Sequence, residues 1–533
     1  MEFSKLIRLA APWVLLLLFQ TSRAQQTVFP LPGGMSQSGK TILFNHKAVL
    51  YYDIRLANEA HYLKNELVKR HGFEAAVCLN MPTRQHVPEG PNIALKLIQP
   101  DTLLPEGWYS LSATSGGTEI TAASKKGVFY GIQTLLQLVK NKSGRAELPE
   151  TIIVGDYPAF RYRGMHLDVC RHFFPVSFIK KYIDLLAIHK MNYFHWHLTE
   201  DQGWRIEIEK YPELTRKGAW RSGTMVGKYS DQKYDSLVYG GFYTKDEIRE
   251  IVAYADERHI TVIPEIEMPG HALAALAAYS QFSCTGGPFE VARGWGVFDD
   301  VYCTREETFE FLYNVLDEVA ELFPGEYIHI GGDECPKTRW KSCSTCQNRM
   351  KEQGLKDEHE LQSWFIQRIE RYLNGKGKKI IGWDEILEGG LAPNATVMSW
   401  RGTEGGIAAA TQNHDVVMTP GSHCYFDHYQ GKPEKEPLAI GGFTDLEKVF
   451  SFQPIPPGLP ADKATYILGA QANVWTEYIL TEQQVEYMVL PRMTALSQVL
   501  WSGNNKGSFK DFEKGVYTFM ESLKKQGYNY RKP

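Results

Sequence analysis

The sequence predicts an α/β protein whose main part is a (β/α)₈ TIM barrel, preceded by a small α+β domain. Apolar runs recur eight times between Gly164 and Val474, and amphipathic, helix-like stretches lie between most of them. The runs are apolar on both faces, which is typical of parallel strands covered by helices. No glycine-rich phosphate loop follows the first run. The pattern therefore favours a closed barrel over the alternative, an open doubly wound sheet.

The N-terminal residues are typical of a cleaved secretory signal. Lys5 and Arg8 precede the apolar run Leu9 to Phe19, and Ala24 follows as a small residue suited to cleavage. The run is too short to span a bilayer, and no other segment predicts a transmembrane helix. We therefore expect residues 1–24 to be a signal peptide and the protein to be exported, to the periplasm or the extracellular space.

Residues 25–157 are predicted to form the small α+β domain. Two helix-like stretches, near 56–71 and 127–140, lie among short β-branched or aromatic runs, a proportion typical of that class. The runs are Ala48 to Tyr52, Ile93 to Ile98, Trp108 to Ala113 and Glu119 to Ala122. None of these segments carries a group of residues that looks catalytic, so we expect a non-catalytic domain.

Residues 158–505 are predicted to form the barrel. Its eight strand-like runs are Gly164 to Val169, Tyr193 to Leu198, Thr261 to Ile266, Tyr327 to Ile330, Lys379 to Trp383, Thr396 to Trp400, Asp415 to Met418 and Ile467 to Val474. Helical patterns between them include Ser177 to His189, Lys245 to Arg258, Glu306 to Leu322 and Glu358 to Asn374. A last helix, Lys510 to Lys525, is expected to pack on the barrel within residues 506–533.

Composition excludes several classes of protein. The chain has 533 residues, of which 43% are hydrophobic and 23% charged, values that suit a folded globular protein. Its 58 Lys and Arg against 62 Asp and Glu give a net charge of −4. Because no basic patch accompanies this balance, nucleic acid is not an expected partner. The composition gives no indication of the oligomeric state.

Eight cysteines are too few for a disulfide scaffold in a chain of this length, but an oxidising compartment permits a few bridges. Cys284 and Cys303 bracket one glycine-rich segment, while Cys335, Cys343 and Cys346 cluster in a later segment. A zinc site at Cys343 and Cys346 needs a second ligand pair, for which Cys335 is the nearby candidate. Structural disulfides or free thiols are favoured over a metal site, and the spacing leaves the pairing open.

Residues suited to binding a sugar follow the predicted strands, where a barrel of this type carries its active site. They are Asp168 and Arg171; His197, Glu200 and Asp201; Glu267 and His271; Asp333 and Glu334; Trp383, Asp384 and Glu385; Trp400; Tyr425 and Asp427; Trp475 and Glu477. Aromatic faces pack against the C–H patches of a pyranose, while carboxylates and a guanidinium bind its hydroxyls. A single Trp could equally be core packing, but the whole set predicts a sugar pocket.

The segment His329 to Glu334 ends in two adjacent carboxylates, Asp333 and Glu334, after two glycines. A retaining glycosidase with two catalytic carboxylates needs them about 5 Å apart on opposite sides of the anomeric carbon, which neighbours supply poorly. The nucleophile could instead be the substrate's own 2-acetamido oxygen. Glu334 would then be the general acid, and Asp333 would hold the acetamido N–H. As an alternative, the pair could cap a following helix.

Further motifs extend this interpretation to a family. They are the segments Leu167 to Phe173, His195 to Trp204, Pro264 to His271, Gly331 to Glu334, Gly382 to Glu385 and Asn473 to Glu477. In this order, from about residue 160 to 500, they resemble the successive signatures of β-N-acetylhexosaminidases of glycoside hydrolase family 20. The preceding domain is similar in size and position to that family's non-catalytic α+β domain.

The resemblance implies an exo-acting, retaining hydrolase of terminal N-acetylglucosamine or N-acetylgalactosamine, working through an oxazolinium intermediate without metal or cofactor. It assigns the acid/base to Glu334 and orientation of the acetamido group to Asp333. The substrate-binding residues that it implies are Arg171 at the 3- and 4-hydroxyls, Trp383, Trp400 and Trp475 as walls, Tyr425 at the acetamido carbonyl, and Asp427 with Glu477 at the 4- and 6-hydroxyls. Preference between the two sugars, the natural glycan and the linkage stay open.

Two positions depart from the family pattern. Glu200 and Glu267 stand where many members have Asp, so each keeps its charge and adds a methylene. We expect both, with His271, to form a supporting network around Glu334. For His271 alone, a structural role in its loop is the alternative.

Two other functions compete with hydrolysis of a glycoside. A metal-dependent amidohydrolase would use His195 and His197 as an H-x-H pair on a strand, but it needs more His and Asp ligands than the later strand ends offer. A non-catalytic sugar-binding protein would use the same aromatic pocket. The presence of both Asp333 and Glu334 favours catalysis.

Overall fold

The computed structural model describes residues 28–533 apart from 45–47, 76, 81–90, 100–102 and 143–144. The expected signal peptide, residues 1–24, lies outside the described residues. No helix among those described is both long and apolar enough to cross a membrane.

An eight-stranded sheet with two helices forms the N-terminal part. Its strands are β1 (Met35–Phe44), β2 (Val49–Tyr52), β3 (Val77–Asn80), β4 (Ile93–Leu97), β5 (Tyr109–Thr114), β6 (Gly117–Ala122), β7 (Lys140–Lys142) and β8 (Arg145–Asp156), and its helices are α1 (Ala57–His71) and α2 (Lys125–Leu138). The strand order is β1-β8-β5-β6-β4-β2-β3, with β7 beside β8. The α2 helix begins at Ser124, whose side chain accepts the Gly127 N–H, and it packs on β6 and α1.

The remainder of the chain contains fourteen strands, most of them in the barrel. They are β9 (Tyr162–Asp168), β10 (Tyr193–His197), β11 (Thr199–Glu200), β12 (Gly203–Trp204), β13 (Trp220–Arg221), β14 (Met225–Val226), β15 (Lys233–Tyr234), β16 (Tyr239–Gly240), β17 (Thr261–Glu265), β18 (Tyr327–His329), β19 (Lys379–Trp383), β20 (Thr396–Ser399), β21 (Val416–Met418) and β22 (Ile467–Ala472). Strands β11 to β16 form short antiparallel pairs in the segment between β10 and β17.

Eight parallel strands close into a barrel in the order β10-β17-β18-β19-β20-β21-β22-β9. This confirms the predicted fold class. Each barrel strand begins and ends within two residues of its predicted run. The agreement has a physical reason, because strands that are buried on both faces consist mostly of apolar residues.

Helices cover the outside of the barrel and its loops. They are α3 (Val176–Ile188), α4 (Glu213–Arg216), α5 (Lys245–Asp256), α6 (Leu273–Ala278), α7 (Glu306–Leu322), α8 (Thr338–Ser342), α9 (Ser344–Gln353), α10 (Glu358–Gly375), α11 (Glu404–Thr411), α12 (Gly421–Cys424), α13 (Leu446–Ser451), α14 (Glu482–Val489), α15 (Arg492–Ser502) and α16 (Phe509–Lys525). The last helix, α16, packs against α13. Its Phe512 ring lies 4.8 Å from that of Phe450 and 5.2 Å from that of Phe29.

Buried charges join the N-terminal sheet to the barrel. Asp156, the last residue of β8, accepts a hydrogen bond from Trp501 Nε1 at 2.9 Å and lies 3.4 Å from Lys190 Nζ. Arg163 in β9 donates to Tyr130 Oη of α2 at 2.6 Å. Because these groups are paired on both sides of the junction, the sheet is fixed against the barrel.

Candidate active site

The C-terminal ends of the barrel strands surround one cavity of about 340 Å³. Its lining residues are Arg171, His271, Asp333, Glu334, Trp383, Trp400, Tyr425, Asp427, His428, Ile440, Gly441, Gly442, Trp475 and Glu477. The structure therefore brings together all nine residues predicted to be catalytic or substrate-binding, together with His271. Glu200 and Glu267 lie behind the cavity wall.

A sharp turn after β18 delivers the two adjacent carboxylates. Gly331 and Gly332 have φ of 66° and 91°, a region open to glycine but costly for other residues. A Cβ at Gly331 would also lie 1.7 Å from Glu267 Oε2, so no larger residue fits there. The turn leaves the Asp333 side chain only 13% exposed and that of Glu334 43% exposed.

Neither carboxylate caps a helix. The next helix, α8, begins at Thr338 with Lys337 before it and has no side-chain cap. The capping interpretation of the Asp-Glu pair is therefore wrong. Both side chains instead face the cavity.

His271 stands between the two carboxylates and a pair of acidic residues behind them. Its Nε2 lies 3.7 Å from Asp333 and 3.6 Å from Glu334, while Nδ1 lies 2.8 Å from Glu200 and 3.0 Å from Asp201. Burial lowers the pKa of this imidazole, but Glu200 and Asp333 outweigh burial and raise it well above its usual range. His271 is therefore a buried imidazolium, which is more than a structural loop residue requires.

Arg171 is held by two carboxylates that leave part of its guanidinium free. Nη2 lies 3.0 Å from Glu200 and Nη1 3.4 Å from Asp168. Asp168, at the end of β9, also accepts the backbone N–H groups of Cys170 and Thr476 at 2.7 and 3.1 Å. It thus ties the loop after the first barrel strand to the loop after the last, and Glu200 joins Arg171 to His271.

Glu267 takes a different place from the one expected. Its two carboxyl oxygens are buried and have no hydrogen-bond partner among the described residues. Burial, then Asp333 and Glu265, raise its pKa well above the usual range, so the side chain is uncharged. It packs against the Gly331 backbone. Its place is under the turn that carries Asp333, whereas Glu200 joins the network with His271.

Three tryptophans form the walls of the cavity, and each is anchored. Trp383 donates from Nε1 to Glu265 at 2.9 Å, and Trp400 donates to Glu385 at 2.9 Å. The Arg171 guanidinium lies 5.2 Å from the centre of the Trp475 ring. Tyr425 lies beside Trp400, with ring centres 6.1 Å apart. Burial raises the pKa of Tyr425 well above its usual range, so its hydroxyl is a neutral donor.

Asp427 and Glu477 form a second acidic pair at the far side of the cavity. Burial, then Glu477, raise the pKa of Asp427 well above its usual range. Burial also raises the pKa of Glu477, although Arg171 opposes it. Two buried carboxyls with raised pKa values in one wall can both donate and accept hydrogen bonds.

Several polar atoms around the cavity have no hydrogen-bond partner among the described residues. They are Arg171 Nε, His271 Nε2, Asp333 Oδ1, Asp427 Oδ1 and Glu477 Oε2. Buried polar atoms are normally paired, so a group of unpaired ones in one cavity indicates a ligand rich in hydroxyl and amide groups.

The H-x-H pair of β10 does not line this cavity. His195, His197 and His329 surround Glu265 in the barrel interior, with nitrogens of His195 and His329 3.0 and 2.8 Å from its oxygens. His166, His195 and Glu265 are close enough to be considered as metal ligands. However, the Glu265 oxygens are already in contact with three imidazoles and Trp383. Of this cluster, His197 was predicted at a strand end and His195 only as part of the H-x-H pair, whereas Glu265 and His329 were not predicted as site residues.

Four cavity residues were not predicted. His428 directly follows Asp427, so reading one residue further from that strand end would have found it. Ile440, Gly441 and Gly442 come from the loop before α13 and carry no reactive group. Nothing in their residue types marks them as part of a site.

Comparison with known proteins gives a family. The model of the glycosyl hydrolase family 20 catalytic domain matches residues 160–504, and that of domain 2 of the same family matches residues 25–157. A β-hexosaminidase of Porphyromonas gingivalis is 49% identical over 95% of this chain, and one of Vibrio furnissii is 39% identical over 75%. The chain spans 64% and 66% of the lengths of these two relatives.

Solved structures agree with this match. A family 20 exo-β-N-acetylglucosaminidase of Vibrio harveyi, solved with N-acetylglucosamine, has a TM-score of 0.84 and 33% identity, covering 96% of this chain and 79% of that one. A β-N-acetylhexosaminidase of Bacteroides fragilis has a TM-score of 0.80 and 32% identity, covering 95% and 97%.

Proposed function

The chain belongs to glycoside hydrolase family 20, and from that premise we propose that it is an exo-acting, retaining β-N-acetylhexosaminidase. It removes terminal N-acetylglucosamine or N-acetylgalactosamine from glycans. The observation that carries the proposal is the set of unpaired polar atoms among three tryptophans in one cavity. A pyranose with one acetamido group and several hydroxyls supplies partners for those atoms and C–H faces for the rings.

Catalysis uses the substrate's acetamido group as the nucleophile. Its carbonyl oxygen attacks the anomeric carbon and forms an oxazolinium, while the glycosidic oxygen leaves with a proton from Glu334. Positive charge grows on the acetamido nitrogen, whose N–H donates to Asp333. A carboxylate aimed at this N–H stabilises the transition state more than the ground state. Water, deprotonated by Glu334, then opens the oxazolinium with net retention.

The pKa shifts of the two carboxyls bear differently on the reaction. Burial raises the pKa of Asp333 to about 6, while the His271 contact lowers that of Glu334. Above pH 6 Asp333 is therefore ionised, as catalysis requires, whereas Glu334 needs a higher pKa to hold the proton that it donates. The acetamido N–H favours the ionised form of Asp333, and a leaving group that covers Glu334 raises its pKa. His271 Nε2 lies 3.7 and 3.6 Å from the two carboxylates, so a protonated imidazole there favours the ionised form of both.

Polar groups in the cavity wall support exo action. Arg171, Asp427 and Glu477 offer charged or polar groups where the 3-, 4- and 6-hydroxyls of the sugar would lie. These hydroxyls are all free only on a terminal residue. If the bound sugar were internal to a glycan, a further sugar on its 4-hydroxyl would clash with the buried pair Asp427 and Glu477.

Hydrolysis of aryl β-N-acetylglucosaminide and β-N-acetylgalactosaminide, assayed side by side, tests the proposal. We expect release of the aryl group and, by proton NMR, the β anomer of the free sugar as the first product. The α anomer as first product would contradict the mechanism. Binding of N-acetylglucosamine without any release would favour a non-catalytic sugar-binding protein.

We also propose that the protein is exported and that its substrates are glycans outside the cytoplasm. The sequence of residues 1–24 supports this. Expression of the full chain in a bacterial host, followed by mass analysis of the periplasmic form, tests it. A mature protein beginning near residue 25 is expected, and an uncleaved cytoplasmic chain would refute export.

A further inference from the structure

Four cysteines from two distant segments meet beside the loop that carries Asp333 and Glu334. Cys284 and Cys303 lie between α6 and α7, while Cys343 and Cys346 lie at the start of α9. The four sulfur atoms all lie within 4.8 Å of one another. Three of the separations are 3.7 Å for Cys284 to Cys346, 3.8 Å for Cys303 to Cys343 and 3.7 Å for Cys303 to Cys346.

These separations match the edges of a metal tetrathiolate. With zinc–sulfur bonds of about 2.3 Å in a tetrahedron, neighbouring sulfurs lie about 3.8 Å apart. A disulfide requires about 2.05 Å. Cys303 is also equally close to two sulfurs, so the arrangement singles out no disulfide pairs.

The surroundings are those of a closed structural site. Cys303 and Cys346 are fully buried, Cys343 is 9% exposed, and Cys284 is partly buried. Side chains of Val301, Trp340, Met350 and Leu361 pack around the sulfurs and keep water away. The C-x-x-C spacing of Cys343 and Cys346 is the usual one for a ligand pair in structural zinc sites.

Positive charge and backbone dipoles lie close to the four sulfurs. Arg305, two residues from Cys303, donates to the Ser283 carbonyl at 3.1 Å, next to Cys284. Cys343 immediately precedes α9, so the N-terminal end of that ten-residue helix faces this pair. Both features suit thiolates, which carry a net charge of −2 when four of them bind one divalent ion.

We propose that Cys284, Cys303, Cys343 and Cys346 bind one structural Zn²⁺. Binding replaces four S–H bonds by four Zn–S bonds and releases the four thiol protons. The second ligand pair is thus Cys284 with Cys303, 62 and 40 residues from their partners, and Cys335 is not part of it. The Cys335 thiol lies 3.9 Å from the carbonyl oxygen of Pro336.

The site would fix the segment that leads away from Glu334. Trp340 donates from Nε1 to the Tyr302 carbonyl at 2.9 Å, and the Tyr302 N–H donates to Pro269 at 3.0 Å. A metal joining Cys303 to Cys343 therefore ties the segment after Glu334 to the loop that carries His271. Its role is to position these loops, since none of the four cysteines lines the cavity.

Elemental analysis of the purified full chain, prepared without chelator, tests the proposal. We expect about one zinc per chain, and for Cys346→Ser a content at least tenfold lower. Cys424→Ser is the matched control, because Cys424 is buried elsewhere in the barrel and should keep the metal. Co²⁺ exchanged into the wild type should show the intense absorption of tetrahedral cobalt thiolate, and Cys346→Ser should not.

Two results would overturn the proposal. One is a wild-type chain that holds no zinc after incubation with Zn²⁺ under reducing conditions. The other is a native mass about 4 Da below that of the reduced chain, which shows two disulfides. Because metal content and mass are measured without substrate, either result is independent of the proposed hydrolase activity. If Cys346→Ser fails to fold, the cobalt spectrum of the wild type still decides.

Discussion

The buried carboxyl group of Glu265 and those that line the cavity differ in whether other protein groups pair with them. Glu265, in the interior, contacts His195, His197, His329 and Trp383. Burial would raise the pKa of Glu265, but these imidazoles outweigh it and hold it well below its usual range. Asp333, Asp427 and Glu477, which line the cavity, each keep an unpaired oxygen or a raised pKa.

The difference separates structure from function. Removal of a paired buried carboxylate leaves its partner uncompensated and destabilises the folded chain, whereas an unpaired carboxyl in a cavity wall is available to a ligand. Trp383 links the two places, because it lines the cavity and donates a hydrogen bond to Glu265. Substitution of Glu265 should therefore affect stability, and substitution of the carboxyls that line the cavity should affect catalysis.

Replacement of the acid gives the largest expected effect. Glu334→Gln cannot protonate the leaving oxygen, so kcat/KM on a glycoside with a poor leaving group should fall about 10²- to 10⁴-fold. The loss should be much smaller for a highly activated aryl glycoside. Glu307→Gln, on the exposed face of α7, is the control and should leave both rates unchanged. Equal losses on both substrates would assign Glu334 another role.

Replacement of the paired carboxylate should sharpen the contrast by destabilising the protein. The pKa of His197 is raised to about 10, so Glu265→Gln leaves this imidazolium without its anion and should lower the free energy of unfolding by about 3–5 kcal/mol. Because the pKa of Glu265 is depressed in the folded state, its contribution is complete above its unfolded pKa of about 4.3 and is lost at lower pH. Denaturant titrations at pH 7 and pH 3 measure both effects. Unchanged stability of Glu265→Gln at pH 7 would contradict a structural role for Glu265.

Asp333→Asn should show the converse pattern, a lower kcat with little change in stability. Loss of one group that stabilises developing charge costs about 10²- to 10³-fold in kcat. A thiazoline mimic of the oxazolinium should bind the wild type tightly and the variant weakly. Because the pKa of Asp333 is about 6, wild-type affinity for the mimic should decline below pH 6, where the carboxyl is protonated. A variant with the same decline would place the titration on another residue.

Asp427→Asn should have the smallest effect. Burial and Glu477 keep the Asp427 carboxyl uncharged, so an uncharged amide of similar size replaces it closely. We expect KM to change less than about tenfold, whereas Asp427→Ala, which removes the hydrogen bonds, should raise KM more. A large loss in Asp427→Asn with a normal folded state would show that the residue acts as an anion.

The sequence predicted most of what burial dictates. The barrel strands appear in the sequence as apolar runs, and the candidate catalytic and substrate-binding residues follow the ends of these runs. The runs identified in the N-terminal part correspond to β2, β4, β5 and β6 and do not include β1, β3, β7 and β8. Strand β1 is largely exposed and polar, and β8 contains Pro149. The carboxylate turn was expected from its two glycines.

Contacts between distant segments could not be predicted in the same way. The meeting of Cys284 with Cys346 joins residues 62 positions apart, and no local pattern encodes it. Glu200 and Glu267 look equivalent in sequence, yet one bridges Arg171 and His271 while the other lies uncharged beneath Gly331. Packing of the whole barrel decides between such places.

Participation of the acetamido group is most directly tested with two aryl β-glycosides that share one leaving group. One carries the 2-acetamido group and the other a 2-hydroxyl. For the wild-type protein, we expect the 2-hydroxy glycoside to react at least about 10³-fold more slowly, because an intramolecular nucleophile is lost. Cleavage of both at comparable rates would contradict acetamido participation and would require a nucleophile from the protein.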